Sequence, residues 1–130
     1  MKRFVNITKE LIPILADATG VRAVSRVPNP RPDKFVQVRR IGGPAEPNLP
    51  IDRALVDVFV WSTDEDDMWE TAFQVRDVIM GLRRSQLLSA PVYSVTEFMG
   101  LAQSDDQTPG QPETPRVWFS VEIATRIKEE

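Results

Sequence analysis

The chain of 130 residues contains no cysteine and no histidine. That removes disulfides, thiol nucleophiles, the usual zinc ligand sets and imidazole acid–base chemistry in one step. Any remaining chemistry falls to carboxylates, which stand out in three places. Asp64, Asp66 and Asp67 form one run with Glu65. A calcium loop needs a central glycine and a distal Glu, and this run has neither at the required spacing. It lies where a helix start favours negative charge, so it reads as a helix N-terminus. Asp105 and Asp106 sit in a polar stretch and need no ligand. Asp57, between Val56 and Val58, is the one acid in an apolar setting. If buried it needs a partner, and an arginine is expected there before a catalytic role. There is no GxGxxG and no Walker loop; Gly42-Gly43-Pro44 marks a turn. No catalytic residue, metal or cofactor is expected.

The basic residues cluster. Arg22, Arg26, Arg31, Lys34, Arg39 and Arg40 are opposed only by Asp33. Such a patch can meet phosphates. Yet Phe35 is its only aromatic residue and the whole chain is acidic, with net charge −3. A protein–protein rim or a solvated edge fits better than a sequence-reading nucleic-acid surface. Residues 1–53 hold ten Lys/Arg and five Asp/Glu; residues 54–130 hold six and fourteen. This asymmetry marks a polar partner, a self-complementary subunit, or simply two solvated halves.

The elements that position these charges centre on residues 53–84. In Arg53–Trp61, Ala54, Val56, Val58 and Val60 share one face, and Leu55, Phe59 and Trp61 the other, interrupted by Asp57. A strand apolar on both faces is expected to be interior and covered on both. Ser62 and Thr63 offer caps in two overlapping capping-box registers, with Glu65 and Asp66. Met68, Ala72, Val75, Ile79 and Leu82 then draw one helical stripe, widened by Trp69, Phe73 and Met80. A helix over 64–84 is about 30 Å long, similar to the strand it would cover.

Around this unit, Asn6 or Thr8 caps a helix over about 8–18 that contains Pro13 and ends at Gly20. Val21–Val27 and Phe35–Ile41 read as strands, separated by a proline-rich loop that cannot pair. Pro44, Pro47 and Pro50 line one edge of an extended segment. Val92–Met99 is a fourth strand, and 117–127 has the cleanest alternation. Ser104–Pro115 is polar and expected to be flexible. Residues 128–130 are expected to fray. Trp61, Trp69 and Trp118 are core candidates. The expected fold is α+β: a single, mostly antiparallel sheet of about five strands, with a long helix and a shorter N-terminal helix packed on it.

Length and composition, 42% hydrophobic and 27% charged, fit one soluble globular domain over 1–130. No apolar run approaches the length of a membrane span, and the start is not a signal peptide.

Several stretches carry a likeness: 4–13 (FVNITKELIP), 27–36 (VPNPRPDKFV), 38–44 (VRRIGGP), 56–61 (VDVFVW) and 114–118 (TPRVW). Through them the chain resembles the tail terminator proteins, also called tail-completion or tail-to-head joining proteins, of long-tailed phages infecting actinobacteria. The resemblance implies a non-enzymatic virion protein: a homo-oligomer, a ring of six, that caps the tail tube and ends its polymerisation. Implied partners are the major tail tube protein and a neck or head-completion protein, with DNA at most passing through the lumen and no membrane. The implied location is the head-proximal end of the tail, with assembly in the host cytoplasm. A neck connector has similar size and lacks motifs too, and a small nucleic-acid-binding module is a more distant alternative. For a ring, Arg31, Lys34, Arg39 and Arg40 are expected to meet Asp64, Asp66, Asp67, Asp105 and Asp106 of a neighbour or of the next ring.

Overall fold

The computed structural model describes residues 1–129. In chain order the elements are β1 (Lys2–Arg3), α1 (Ile7–Thr19), β2 (Ala23–Val24), β3 (Lys34–Gly42), β4 (Ile51–Ser62), α2 (Glu65–Met80), α3 (Leu82–Ser85), β5 (Val92–Gln103), β6 (Arg116–Arg126) and β7 (Lys128–Glu129). Five strands form one sheet in the order β2-β3-β4-β6-β5, and β1 pairs with β7 in a separate ribbon. The class is α+β, as expected, but the sheet is mixed. Three of its pairings are antiparallel, while β2 runs parallel to β3.

That parallel pair accounts for the shortness of β2. A chain that must turn back to run beside itself spends residues on the return, and here residues 25–33, with three prolines, make it. Only Ala23 and Val24 of the expected Val21–Val27 strand pair, opposite Val36 and Gln37. Residues 44–52 fold back on themselves through an Ala45–Asp52 bridge and a Glu46 N–H to Ile51 carbonyl bond of 2.9 Å. Gly43 is required there: its φ is +101°, and a Cβ would lie 1.8 Å from the Arg53 carbonyl oxygen.

β4 is interior, flanked by β3 and β6 along nearly its whole length. Val56, Val58 and Val60 are fully buried beneath the helices, with Val36, Val38, Phe119, Val121 and Ile123 beside them. Each such side chain stabilises the fold by roughly 1.5–3 kcal/mol relative to exposure. Leu11 and Leu15 of α1, and Met68, Ala72, Val75 and Ile79 of α2, close this core from above. α1 packs on β2 and β3; α2 spans β4, β6 and β5.

The long helix is shorter than its stripe suggests. It ends at Met80, where the Gly81 N–H bonds the Asp77 carbonyl, and Leu82 belongs to the short α3. Its cap is Asp64, whose side chain accepts from the amides of Asp66 and Asp67. Ser62 is held in β4, so its hydroxyl acts one step earlier, accepting from the Asp64 amide. α1 starts at Ile7 with Asn6 as cap, and Gly20 adopts the left-handed conformation at its end. β5 continues to Gln103, beyond the expected Met99. The tail expected to fray instead pairs as Lys128 and Glu129 with Arg3 and Lys2; Glu130 lies outside the described residues.

Among the described residues, no second layer of helices covers the sheet face away from α1 and α2. Leu55, Asp57 and Phe59 are only half-buried there. Trp61 is 2% exposed because Phe35 stacks on it at 5.1 Å and two arginines cover it. The expectation of cover on both faces therefore holds at one end of β4 and fails along its middle.

Candidate functional site

The basic cluster is spread by the fold over two regions. Arg31 leaves the proline-rich loop, lies 5.0 Å above the Trp61 ring, and donates to Asp106 at 3.0 Å and to the Thr114 hydroxyl at 3.3 Å. Lys34, at the start of β3, pairs with Asp67 in the first turn of α2 at 2.6 Å. Arg40 grips Asp52 with two nitrogens, at 2.7 and 2.8 Å, and also donates to the Gly42 and Gly43 carbonyls. Arg39, its neighbour, points to the opposite face, is exposed and makes no ion pair. Strand alternation separates the two: one guanidinium is used to hold the β3–β4 connection, the other remains available.

Among the expected acids, Asp64 caps α2 and Asp67 is bound to Lys34. Asp66 is exposed. Asp105 accepts from Gln103 at 2.9 Å, and the same amide group reaches Glu65 at 3.1 Å. Asp106 is bound to Arg31, and it accepts from the Thr108 hydroxyl at 2.8 Å. Burial pushes its carboxyl up, but the Thr108 hydroxyl and amide and the Arg31 guanidinium outweigh that and hold it below its ordinary value. Two pairings of the expected kind, Arg31–Asp106 and Lys34–Asp67, thus occur inside one subunit.

Arg31–Asp106 also anchors the 104–115 loop. Asp106 and Thr114 bridge across it, exchanging both backbone bonds at 2.9 and 3.2 Å. Arg116 adds a second clamp: its Nε donates to the Ser104 carbonyl at 2.9 Å, and its guanidinium lies over Phe59 and Trp61. Such cation–π contacts suit arginine, whose flat, weakly hydrated head covers a ring while keeping its charge.

Asp57 has a different partner from the one expected. It accepts a short hydrogen bond from the Ser120 hydroxyl on β6, while Arg39, opposite it on β3, makes no ion pair with it. Ser120 is buried, and its bond to Asp57 ties β6 to β4 across the sheet. Among the described residues no group of three or more Asp or Glu is arranged to hold a metal ion.

By spacing, Trp69, Phe73 and Met80 are expected to widen the core stripe of α2. They form a second stripe instead. Phe73 is 56% and Met80 38% exposed, Trp69 is half-buried against Phe73 with ring centres 5.8 Å apart, and a shallow groove of about 530 Å³ runs beside Phe73 and Met80. The signal was present in the spacing, since 69, 73, 76 and 80 advance by four, three and four beside 68, 72, 75 and 79. A second groove, near α1, is lined by Phe4, Pro13, Ile14 and Leu87.

The sequence model of the family described as "Phage tail termination protein" matches residues 3–111. The matched stretch runs from the second residue of β1 into the 104–115 loop and stops short of β6. No curated protein matches the chain.

Proposed function

The chain belongs to the phage tail termination protein family, and from that premise we propose that it is the subunit of a ring that caps the tail tube. The family is one of structural tail proteins of the virion. The finer reading is a homo-oligomeric ring, of six copies, that ends tube polymerisation and offers its far face to the neck or head-completion protein. DNA would only pass through the lumen. The ring would sit at the head-proximal end of the tail after assembly in the host cytoplasm. No helix of the described residues is long and apolar enough to cross a membrane.

One observation carries the reading: the family match spans 3–111, which includes four of the five sheet strands and both longer helices. The exposed apolar groups support it, because Phe73, Leu87 and Phe98 are each more than half exposed and suit contacts made in an assembly. The interface charges are proposed to be those that remain unpaired within the subunit, chiefly Arg39 and Asp66. Arg31, Lys34, Arg40, Asp64, Asp67, Asp105 and Asp106 contribute through the local structures they hold in place.

The test is a lysate from phage lacking this protein. Tubes of uncontrolled length that fail to join heads, restored to normal length by added protein, are the expected result. Tails of normal length that join heads without it would reject the reading.

A further inference from the structure

We propose that the outer face of α2 on one copy docks against the β2–β3 margin of the next, and that this is the contact repeated around the ring; it rests on the ring reading above. The α2 face is built on the stripe Trp69, Phe73 and Met80. Arg76 interrupts it, but Glu97 on β5 holds that guanidinium at 2.7 and 2.9 Å and neutralises it within the subunit. Of the other charges in α2, Asp67 is bound to Lys34, while Glu65, Asp66, Glu70 and Asp77 are all exposed. Arg83 and Arg84 come only after the break at Gly81. The face is therefore apolar at its centre and acidic along α2 itself, with Arg83 and Arg84 bordering it only at the Met80 end.

The opposite margin has the complementary character. A groove beside α1 and β3 is lined by Thr8, Ser25, Arg26, Val27, Gln37 and Arg39 among others. Arg26 and Arg39 are exposed and make no ion pair among the described residues, whereas Arg40 is taken up by Asp52. Asp57, the acid opposite Arg39, is bonded to Ser120. Val27 is 36% and Ile41 48% exposed, so this margin also presents apolar surface among its cations.

The occupant of each surface is a second copy of this chain, because both halves of the complement are present on it and lie apart. β2 and β5 are the outermost strands of the sheet; the basic groove borders β2 and β3, and the α2 stripe is tied to β5 through Arg76 and Glu97. A contact between unlike surfaces leaves one of each kind free on every growing assembly, and the rotation between copies decides where it closes. Apolar side chains at the centre supply affinity, while the opposed charges set register and association rate.

The absence of cysteine makes a direct test clean. Gln74→Cys and Ser25→Cys are prepared as separate full-length chains, each exposed at its surface, and treated with a short bis-maleimide alone and mixed. Crosslinked pairs in the mixture and none in either variant alone is the expected result. A Gln74→Cys chain that crosslinks to itself would show a symmetric contact through α2 and overturn the proposal. No crosslink in any mixture, while light scattering shows the wild-type chain as a closed oligomer, overturns this contact and leaves the ring intact. A wild-type chain that stays monomeric, with no crosslink in the mixed cysteine variants, overturns both. In parallel, Arg26→Glu with Arg39→Glu should weaken association by roughly tenfold or more, the scale of losing an interface anchor. Adding Glu70→Lys and Asp77→Lys on the partner chain should restore it, with melting temperature unchanged throughout.

Discussion

Arg39 and Arg40 show how one step along a strand decides what a charge is for. Arg40 lies on the helix side and holds Asp52, which is 2% exposed, with two hydrogen bonds. Removing it leaves a buried carboxylate without its cation, and breaking such a pair costs about 3–5 kcal/mol. Since Arg40 itself is partly exposed, Arg40→Ala should fall near the lower end, about 3 kcal/mol in a denaturant titration. Arg39→Ala should change stability by no more than about 0.5 kcal/mol. Equal losses from the two would mean that Asp52 finds another partner. Asp106 gives a residue-scale expectation for pH. Its carboxyl is held below the ordinary 3.8, so the stabilisation it contributes is complete above that value and is lost as pH falls through the lower, folded value. Protection of the Asp106 and Thr114 amides, taken relative to the intrinsic exchange rate at each pH, should therefore fall as pH drops through the lowered carboxyl value. Asp106→Asn should exchange fast at every pH. Protection unchanged into strong acid would show that the bridge stands without the carboxylate.

At the scale of elements, α2 carries two adjacent apolar stripes with different roles. Ile79 is fully buried among sheet residues, and Ile79→Ala should cost about 2–5 kcal/mol through lost burial and a cavity. Phe73 lies on the outer stripe and is more than half exposed. Phe73→Ser should leave the midpoint of unfolding within about 0.5 kcal/mol of wild type and abolish assembly. A large stability loss from Phe73→Ser would place that ring in the core after all. The loop from Ser104 to Pro115 divides in the same way. Its stem is held by the Asp106–Thr114 bridge and by Arg116, while residues 107–113 project as an exposed tip. We place the loop's expected flexibility in that tip, where polar, proline- and glycine-containing sequence gains little burial to offset ordering.

At the scale of the whole molecule, the charge asymmetry becomes an asymmetry of surfaces only after internal pairing is removed. Arg31, Lys34, Arg40, Arg53 and Arg76 all pair within the subunit. Of the cations left without an ion pair among the described residues, Arg26 and Arg39 line the groove beside β3, while exposed acids lie along α2. Long-range attraction between such surfaces is screened beyond about 8 Å at physiological ionic strength. Oligomer formation followed by stopped-flow light scattering should therefore slow steeply with added salt, while dissociation, governed by buried apolar contacts, changes little. An association rate indifferent to salt would mean that the contact is not charge-guided.

The sequence alone determined what depends on local periodicity and local chemistry. The alternation around Val56, Val58 and Val60 identifies an interior strand, the stripe through Met68 and Ile79 identifies the helix above it, and Gly20 marks the end of the first helix. Each follows from how a side chain's direction repeats along its own element. The absence of cysteine and histidine excluded whole classes of chemistry before any fold was known. Only the tertiary structure decided which charges meet. Arg31 and Asp106 are 75 residues apart and Lys34 and Asp67 are 33 apart, so no local pattern links them. It also decided that β2 runs parallel to β3, and that Phe73 stands outside the core while Val75 lies within it. A helix of this composition has apolar residues around more than half its girth, and what covers each side depends on where the sheet ends. The candidate assembly surfaces belong to this second kind, because a side chain is free only once every partner the fold could offer it has been placed.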